Sequence, residues 1–165
     1  MSTALIPVSF DPLHLGHLQV IEATAPLFDR VVVAAVGNPE KSSSAMFDLA
    51  ERAELIRLSV QHLDNVEAAT WSRLVVELAS EVGADVILKG LRGVADFEFE
   101  VQMAHTNQAL TGITTMFLPT DPRYGFVASR FIREIAHMGG NVADLVPAPV
   151  AERLARLFSS SQAGS

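Results

Sequence analysis

Short apolar runs rich in β-branched residues alternate along this chain with longer stretches of helical periodicity, and few folds accept that pattern. Residues 4–8 are mostly apolar, and a helical stretch begins near Gly16. Residues 31–36 read Val-Val-Val-Ala-Ala-Val, a continuous run that suits a strand covered on both faces. Asp48-Leu-Ala-Glu51 has the form of a capping box, ahead of a helix carrying Leu49, Ala53, Ile56 and Val60. Residues 66–69 predict a weak strand. Ser72 is the expected N-cap of a helix with Leu74, Val75, Leu78 and Val82 at helical spacing. Further strands are expected at 86–88 and 114–118, with a long helix over 96–110 between them. A helix from Ser129 should stop at Gly139-Gly140, and Pro149 opens a final helix with Val150, Leu154 and Leu157 inward. This alternation predicts an α/β protein with a doubly wound, mostly parallel, Rossmann-like sheet of about five strands, in one domain over residues 1–158. Right-handed crossovers put the carboxyl ends of the strands, and the ligand cleft, along one edge. Residues 159–165 are small and polar and are expected to fray.

Composition narrows the function. With 165 residues, 49% hydrophobic and 19% charged, the chain can bury a core and is not a disordered one. A net charge of −7 without a basic stripe argues against nucleic-acid binding. No apolar run approaches the roughly 18 residues of a membrane span, and the first residues lack the basic start of a secretory signal. Cysteine is absent, which removes disulfides and thiolate metal sites and fits a cytoplasmic enzyme. An acidic protein that binds phosphates does so locally, through helix N-termini and a few placed cations. Lys41 and Lys89 are the only lysines, and each follows a strand-like run, where α/β proteins carry their ligand contacts.

Two segments carry chemistry. Ser9-Phe-Asp-Pro-Leu-His14-Leu-Gly16-His17 follows the first strand. It sets His17 in the first turn of a helix, where free N–H groups and the dipole favour an anion. A buried structural histidine pair, or a metal site with a further ligand elsewhere, is the competing reading of the same residues. The second segment runs from Lys89-Gly-Leu-Arg92 through Asp96-Phe-Glu-Phe-Glu100-Val-Gln102-Met-Ala to Asn107. Lys89 and Arg92 place cations at a strand end, beside a glycine that lets backbone amides approach phosphates. Asp96 is expected to cap the next helix, with Glu98 and Glu100 in its first turns. Those acids could equally do no more than stabilise the helix. No protein nucleophile is evident.

The His14–His17 spacing resembles the histidine signature of the nucleotidylyltransferase superfamily. The Lys89–Asn107 segment is similar to the KGLR-to-QMA segment of bacterial phosphopantetheine adenylyltransferases, and the resemblance extends over residues 5–157, including Asn38-Pro-Glu-Lys41 and Pro122-Arg-Tyr124. It implies a nucleotidylyltransferase fold and transfer of the adenylyl group of ATP to 4′-phosphopantetheine, giving dephospho-coenzyme A and pyrophosphate. His17 would be the catalytic donor to the α-phosphate. Ser9, Lys41, Val75 and Lys89 would contact phosphopantetheine. Ser9, Phe10, His17, Gly90, Leu91, Arg92 and Glu100 would contact ATP, together with Tyr124, Gly125, Phe126, Val127, Ala128, Ser129 and Arg130. The resemblance further implies Mg²⁺ carried by ATP, with no metal held by protein ligands alone, a homohexamer, and inhibition by coenzyme A.

Three departures stand out. Val8 replaces a glycine of the family pattern, Ala128 removes a serine hydroxyl, and Arg130 puts a large cation where another serine is usual. A valine is costly wherever positive φ is needed. These departures raise a weakened nucleotide-binding paralogue as an alternative. Phe10-Asp-Pro-Leu-His-Leu-Gly-His-Leu18 raises a second, nicotinate-mononucleotide adenylyltransferase.

Overall fold

Each apolar run becomes a strand of one sheet in the computed structural model, which describes residues 1–37 and 44–162. The strands are β1 (Thr3–Val8), β2 (Arg30–Val36), β3 (Val66–Trp71), β4 (Val86–Leu91) and β5 (Thr114–Pro119). Their order is β3-β2-β1-β4-β5, and every neighbouring pair is parallel. Helices α1 (Leu15–Thr24), α2 (Leu49–Ser59), α3 (Val75–Glu81), α4 (Val94–Thr111), α5 (Ser129–His137) and α6 (Ala148–Gln162) complete it. This is the doubly wound α/β fold that the alternation predicts.

The pleat sorts the strand residues into two cores. Ala4 and Ile6 of β1, with Val31, Val33 and Ala35 of β2, face a large cluster built with Ile21, Ile56, Ile132, Val150 and Leu154 from the helices. Leu5, Val32, Ala34 and Ile87 face the other way, onto Leu78 and Ala79 of α3. Because β2 is covered on both sides, its sequence is apolar throughout rather than alternating.

Most helix boundaries follow local chemistry. Asp48 and Glu51 form the expected reciprocal cap of α2, with Glu51 N donating to Asp48 Oδ1 at 2.8 Å and Asp48 N to Glu51 Oε2 at 3.2 Å. Gly139, at φ 80°, follows α5 as its C-terminal signal predicts. Two caps fall elsewhere than expected. Helix α3 begins after Leu74 rather than Ser72, because the Trp71 indole N–H donates to Leu74 O at 2.8 Å and the same carbonyl opens the helical ladder. Helix α4 begins after Gly93, so Asp96 is its third residue and turns its carboxylate to Arg92 instead of capping. At the far end, α6 runs from Ala148 to Gln162.

The β1–β4 boundary decides where a ligand can enter. Strand β1 is paired with β2 from Thr3 to Val8, but with β4 only at Ala4↔Val86 and Leu5↔Ile87. Past those pairs the two central strands part. This is also where strand order reverses, the position at which open parallel sheets bind ligands.

Candidate active site

The gap between the carboxyl ends of β1 and β4 is a cleft of about 140 Å³. Ile6 and Val8 line it from β1, Lys89 and Gly90 from β4, His17 and Val20 from α1, and Asp96 and Glu100 from α4. Phe10, His14, Gly16, Arg92 and Thr120 complete the wall.

The two histidines are held by an unusual cap. His14 N donates to His17 Nδ1 and His17 N donates to His14 Nδ1, each at 3.3 Å, which makes a reciprocal capping box from two imidazoles. Their rings stack with centroids 3.6 Å apart and planes 16° apart. Gly16 makes room for this arrangement. A Cβ there would lie 3.1 Å from both Cε1 and Nδ1 of His14. With Nδ1 accepting in each ring, the neutral tautomer carries its proton on Nε2. Burial holds both rings neutral: His14 is pushed down to about 4, with Arg92 adding to the effect. His17 lies well below its ordinary value, through burial first, then His14, Arg92 and Lys89. Each ring can therefore offer a neutral Nε2–H to an anion in the cleft.

The turn that brings this pair into place is strained and well anchored. Phe10 takes φ 49°, uncommon for a residue with a side chain, while its ring is 1% exposed and meets His17 edge-on at 5.0 Å. Asp11 is buried beneath it and accepts from Met46 N and Phe47 N, both at 2.9 Å. Arg52, equally buried, donates to Phe47 O at 2.7 Å and Ser9 O at 3.1 Å, with its Nε 3.6 Å from Asp11 Oδ1. Removing one member of such a pair costs roughly 3–5 kcal/mol, because the other charge is left buried alone. The sequence places Asp11 in a motif without hinting at its partner, which sits on α2.

The cations of the cleft already have partners. Lys89 Nζ donates to Pro7 O at 3.0 Å, across the gap between the parted strands, and lies 3.4 Å from Glu100 Oε2. Arg92 forks onto Asp96 and donates to Val127 O at 2.8 Å. Gly90 is required for close packing, since a Cβ there would stand 2.8 Å from Val20 Cγ2.

The site residues named from the sequence divide into three sets. Phe10, His17, Lys89, Gly90, Arg92 and Glu100 come together in the cleft. Ser9, Leu91 and the segment from Tyr124 to Arg130 flank it: Ser9 offers its carbonyl to Arg52, and Ser129 Oγ donates to Pro12 O at 2.9 Å. Val75, the first residue of α3, packs against the smaller core with Leu78 and Ala79 and does not line the cleft. Lys41 lies outside the described residues. Among residues the sequence did not single out as contacts, Thr120 lines the wall and Asp96 orients Arg92.

The departures also acquire a physical meaning. Val8 is the last residue of β1, paired with Ala35, and its backbone is extended. The positive φ falls at Phe10, so the valine brings side-chain bulk to the cleft wall without backbone strain. Ala128 is the N-cap of α5 and supplies no side-chain bond. Arg130 lies over the Phe131 ring, 4.5 Å from its centroid, and does not line the cleft. A grip on phosphate from that guanidinium would require it to leave the ring.

This parallel sheet, with a cleft of paired charges and two stacked histidines at its switch point, belongs to a chain whose residues 5–135 match the family described as cytidylyltransferase-like. A putative nicotinate-nucleotide adenylyltransferase from Vibrio parahaemolyticus shares the fold, with a TM-score of 0.69 at 21% identity over 93% of this chain and 91% of that one. Within the class, this chain is 43% identical to a phosphopantetheine adenylyltransferase of Corynebacterium glutamicum, over 95% of this chain and 98% of that protein. It is 49% identical to another from Nostoc punctiforme, over 90% of this chain and 80% of that protein. The chain belongs to the phosphopantetheine adenylyltransferase family.

Proposed function

We propose that this protein transfers the adenylyl group of ATP to 4′-phosphopantetheine, forming dephospho-coenzyme A and pyrophosphate. A phosphate oxygen of phosphopantetheine attacks the α-phosphorus in line, and the bond from that phosphorus to the pyrophosphate oxygen breaks. No protein nucleophile takes part. The work is positioning two anions and stabilising the charge that builds on the α-phosphate. The observation that carries this reading is the pair of neutral imidazoles at the N-terminus of α1, facing a cleft that also holds Lys89 and Arg92.

His17 is the donor to the α-phosphate. Lys89, Ser9 and Lys41 take the phosphopantetheine phosphate, with Val75 further along that substrate. Phe10, Gly90, Leu91, Arg92, Glu100 and the segment ahead of α5 take ATP. Lys89 and Arg92 must then exchange some of their bonds to Glu100, Asp96 and backbone carbonyls for phosphate oxygens. Mg²⁺ arrives as part of the nucleotide substrate, bound to its phosphates, and offsets the repulsion between the two anions. Consumption of ATP and the absence of cysteine support a cytoplasmic location.

A pyrophosphate-release assay tests the reading. Turnover is expected with 4′-phosphopantetheine as acceptor and not with nicotinate mononucleotide. The reverse preference would assign the second acceptor, and inactivity with both would leave a nucleotide-binding paralogue. Coenzyme A added to the same assay is expected to lower the rate.

Homo-oligomer formation, a hexamer by the family resemblance, belongs to the same proposal. Helix α4 supports it. Asn107 is its one buried residue, while Val94, Phe97, Phe99, Met103 and Leu110 are exposed. Sedimentation velocity should show a single species much larger than 17.8 kDa, and a monomer would overturn the assembly.

A further inference from the structure

We propose that Asp96 is a positioning residue that aims the Arg92 guanidinium into the cleft and, through Arg92, holds the segment ahead of α5. The proposal rests on the nucleotidyl-transfer reading of the site.

Three N–H groups of Arg92 converge on the Asp96 carboxylate. Nε donates to Oδ2 at 3.0 Å, Nη2 to Oδ1 at 3.3 Å, and the backbone N to Oδ2 at 3.3 Å. The fork is the bidentate geometry that fixes a guanidinium plane as well as its distance. Nη1 donates to Val127 O at 2.8 Å, and Val127 is buried in the main core. Of the five N–H groups on the guanidinium, these bonds use three. One on each terminal nitrogen remains for an anion.

Little else restrains Arg92. Gly93 follows it with an extended backbone, at φ −170° and ψ −177°, and nothing stands within 4 Å of where its Cβ would be. Helix α4 has no side-chain cap at Gly93, so the carboxylate's reach back to Arg92 N is what ties the helix start to the strand end. Without Asp96, Arg92 would keep Val127 O as its anchor and regain rotamer freedom that ordering by ATP must then remove.

Asp96→Asn separates positioning from simple charge, because the two act in opposite directions. Deleting a negative charge beside a polyphosphate should tighten ATP binding. Loss of the fork should weaken it, since the amide presents a donor to Nε or Nη2. Calorimetry on the full-length protein is expected to show ATP binding weakened by roughly 10-fold, the equivalent of one charge-assisted hydrogen bond. The phosphopantetheine KM should stay near the unsubstituted value. In an Arg92→Ala background, Asp96→Asn should cause no further loss, as required of a residue that acts through another. An exchange-protected Arg92 Nε–H resonance should be seen by NMR in the unsubstituted protein and lost in Asp96→Asn. Unchanged or tighter ATP binding, or an equal loss without Arg92, overturns the positioning role. Failure of the unsubstituted protein to bind ATP overturns the nucleotidyl-transfer reading instead, and the NMR resonance still decides the placement of Arg92.

Discussion

Replacing His17 by asparagine is expected to lower kcat by about 10²–10³, the usual effect of losing one preorganised donor to a developing charge. The choice of asparagine follows from the cap. His17 Nδ1 accepts from His14 N, and the amide oxygen of asparagine can occupy that place while nothing replaces Nε2. Glutamine does the opposite: it reaches the Nε2 position and gives up the cap. His17→Asn should therefore be slow and nearly as stable as the parent, and His17→Gln faster but less stable by about 1 kcal/mol, a typical capping contribution. ATP affinity should change little in either, because a transition-state interaction is read in kcat rather than in ground-state binding. Near-normal kcat in His17→Asn would leave the imidazole pair as a structural cap alone. The pair also sets a pH signature. The folded pKa of His14 is pushed down to about 4 from 6.5, so between those values the unfolded chain binds more protons than the folded one. Stability contributed by the neutral ring is complete above pH 6.5 and falls as the pH drops toward 4. Replacing His14 by Thr, which can still cap, should flatten that part of the stability profile.

Lys89→Met is expected to reduce kcat/KM for phosphopantetheine by roughly 10²-fold, as one cation is withdrawn from a site that joins two anions. The substitution also has a structural cost. Lys89 and Glu100 are only 20% and 19% exposed in their side chains, and Glu100 would be left beside the parted strands without its cation. That loss is on the order of 1–3 kcal/mol. The double variant Lys89→Met, Glu100→Gln should regain most of the thermal stability and none of the activity. Recovery of turnover in the double variant would show that Lys89 serves only to neutralise Glu100.

How much of this was readable beforehand depends on the range over which each feature is decided. The sequence by itself determined the element types, the parallel α/β class and the end of the sheet that carries the site. These follow from the period of apolar residues and from caps such as Asp48 with Glu51, which are settled within a few residues of chain. It also placed Phe10, His17, Lys89, Gly90, Arg92 and Glu100 in one site through two motifs. What lay outside its reach depends on register and on pairing between distant segments. Val75 sits at proper helical spacing, but that it joins the smaller core with Leu78 and Ala79 is decided by how α3 packs on the sheet. Asp96 has the residue type of an N-cap, yet Arg92, offering two guanidinium N–H groups and its backbone N–H, holds the carboxylate more strongly than the helix end does. Positive φ belongs to Phe10 rather than Val8, because Val8 is still locked in the β1–β2 ladder and the chain can turn only after it leaves. The cleft itself is a tertiary fact: β1 and β4 stop pairing after Leu5 and Ile87, and neither strand's sequence records how far its neighbour will follow it.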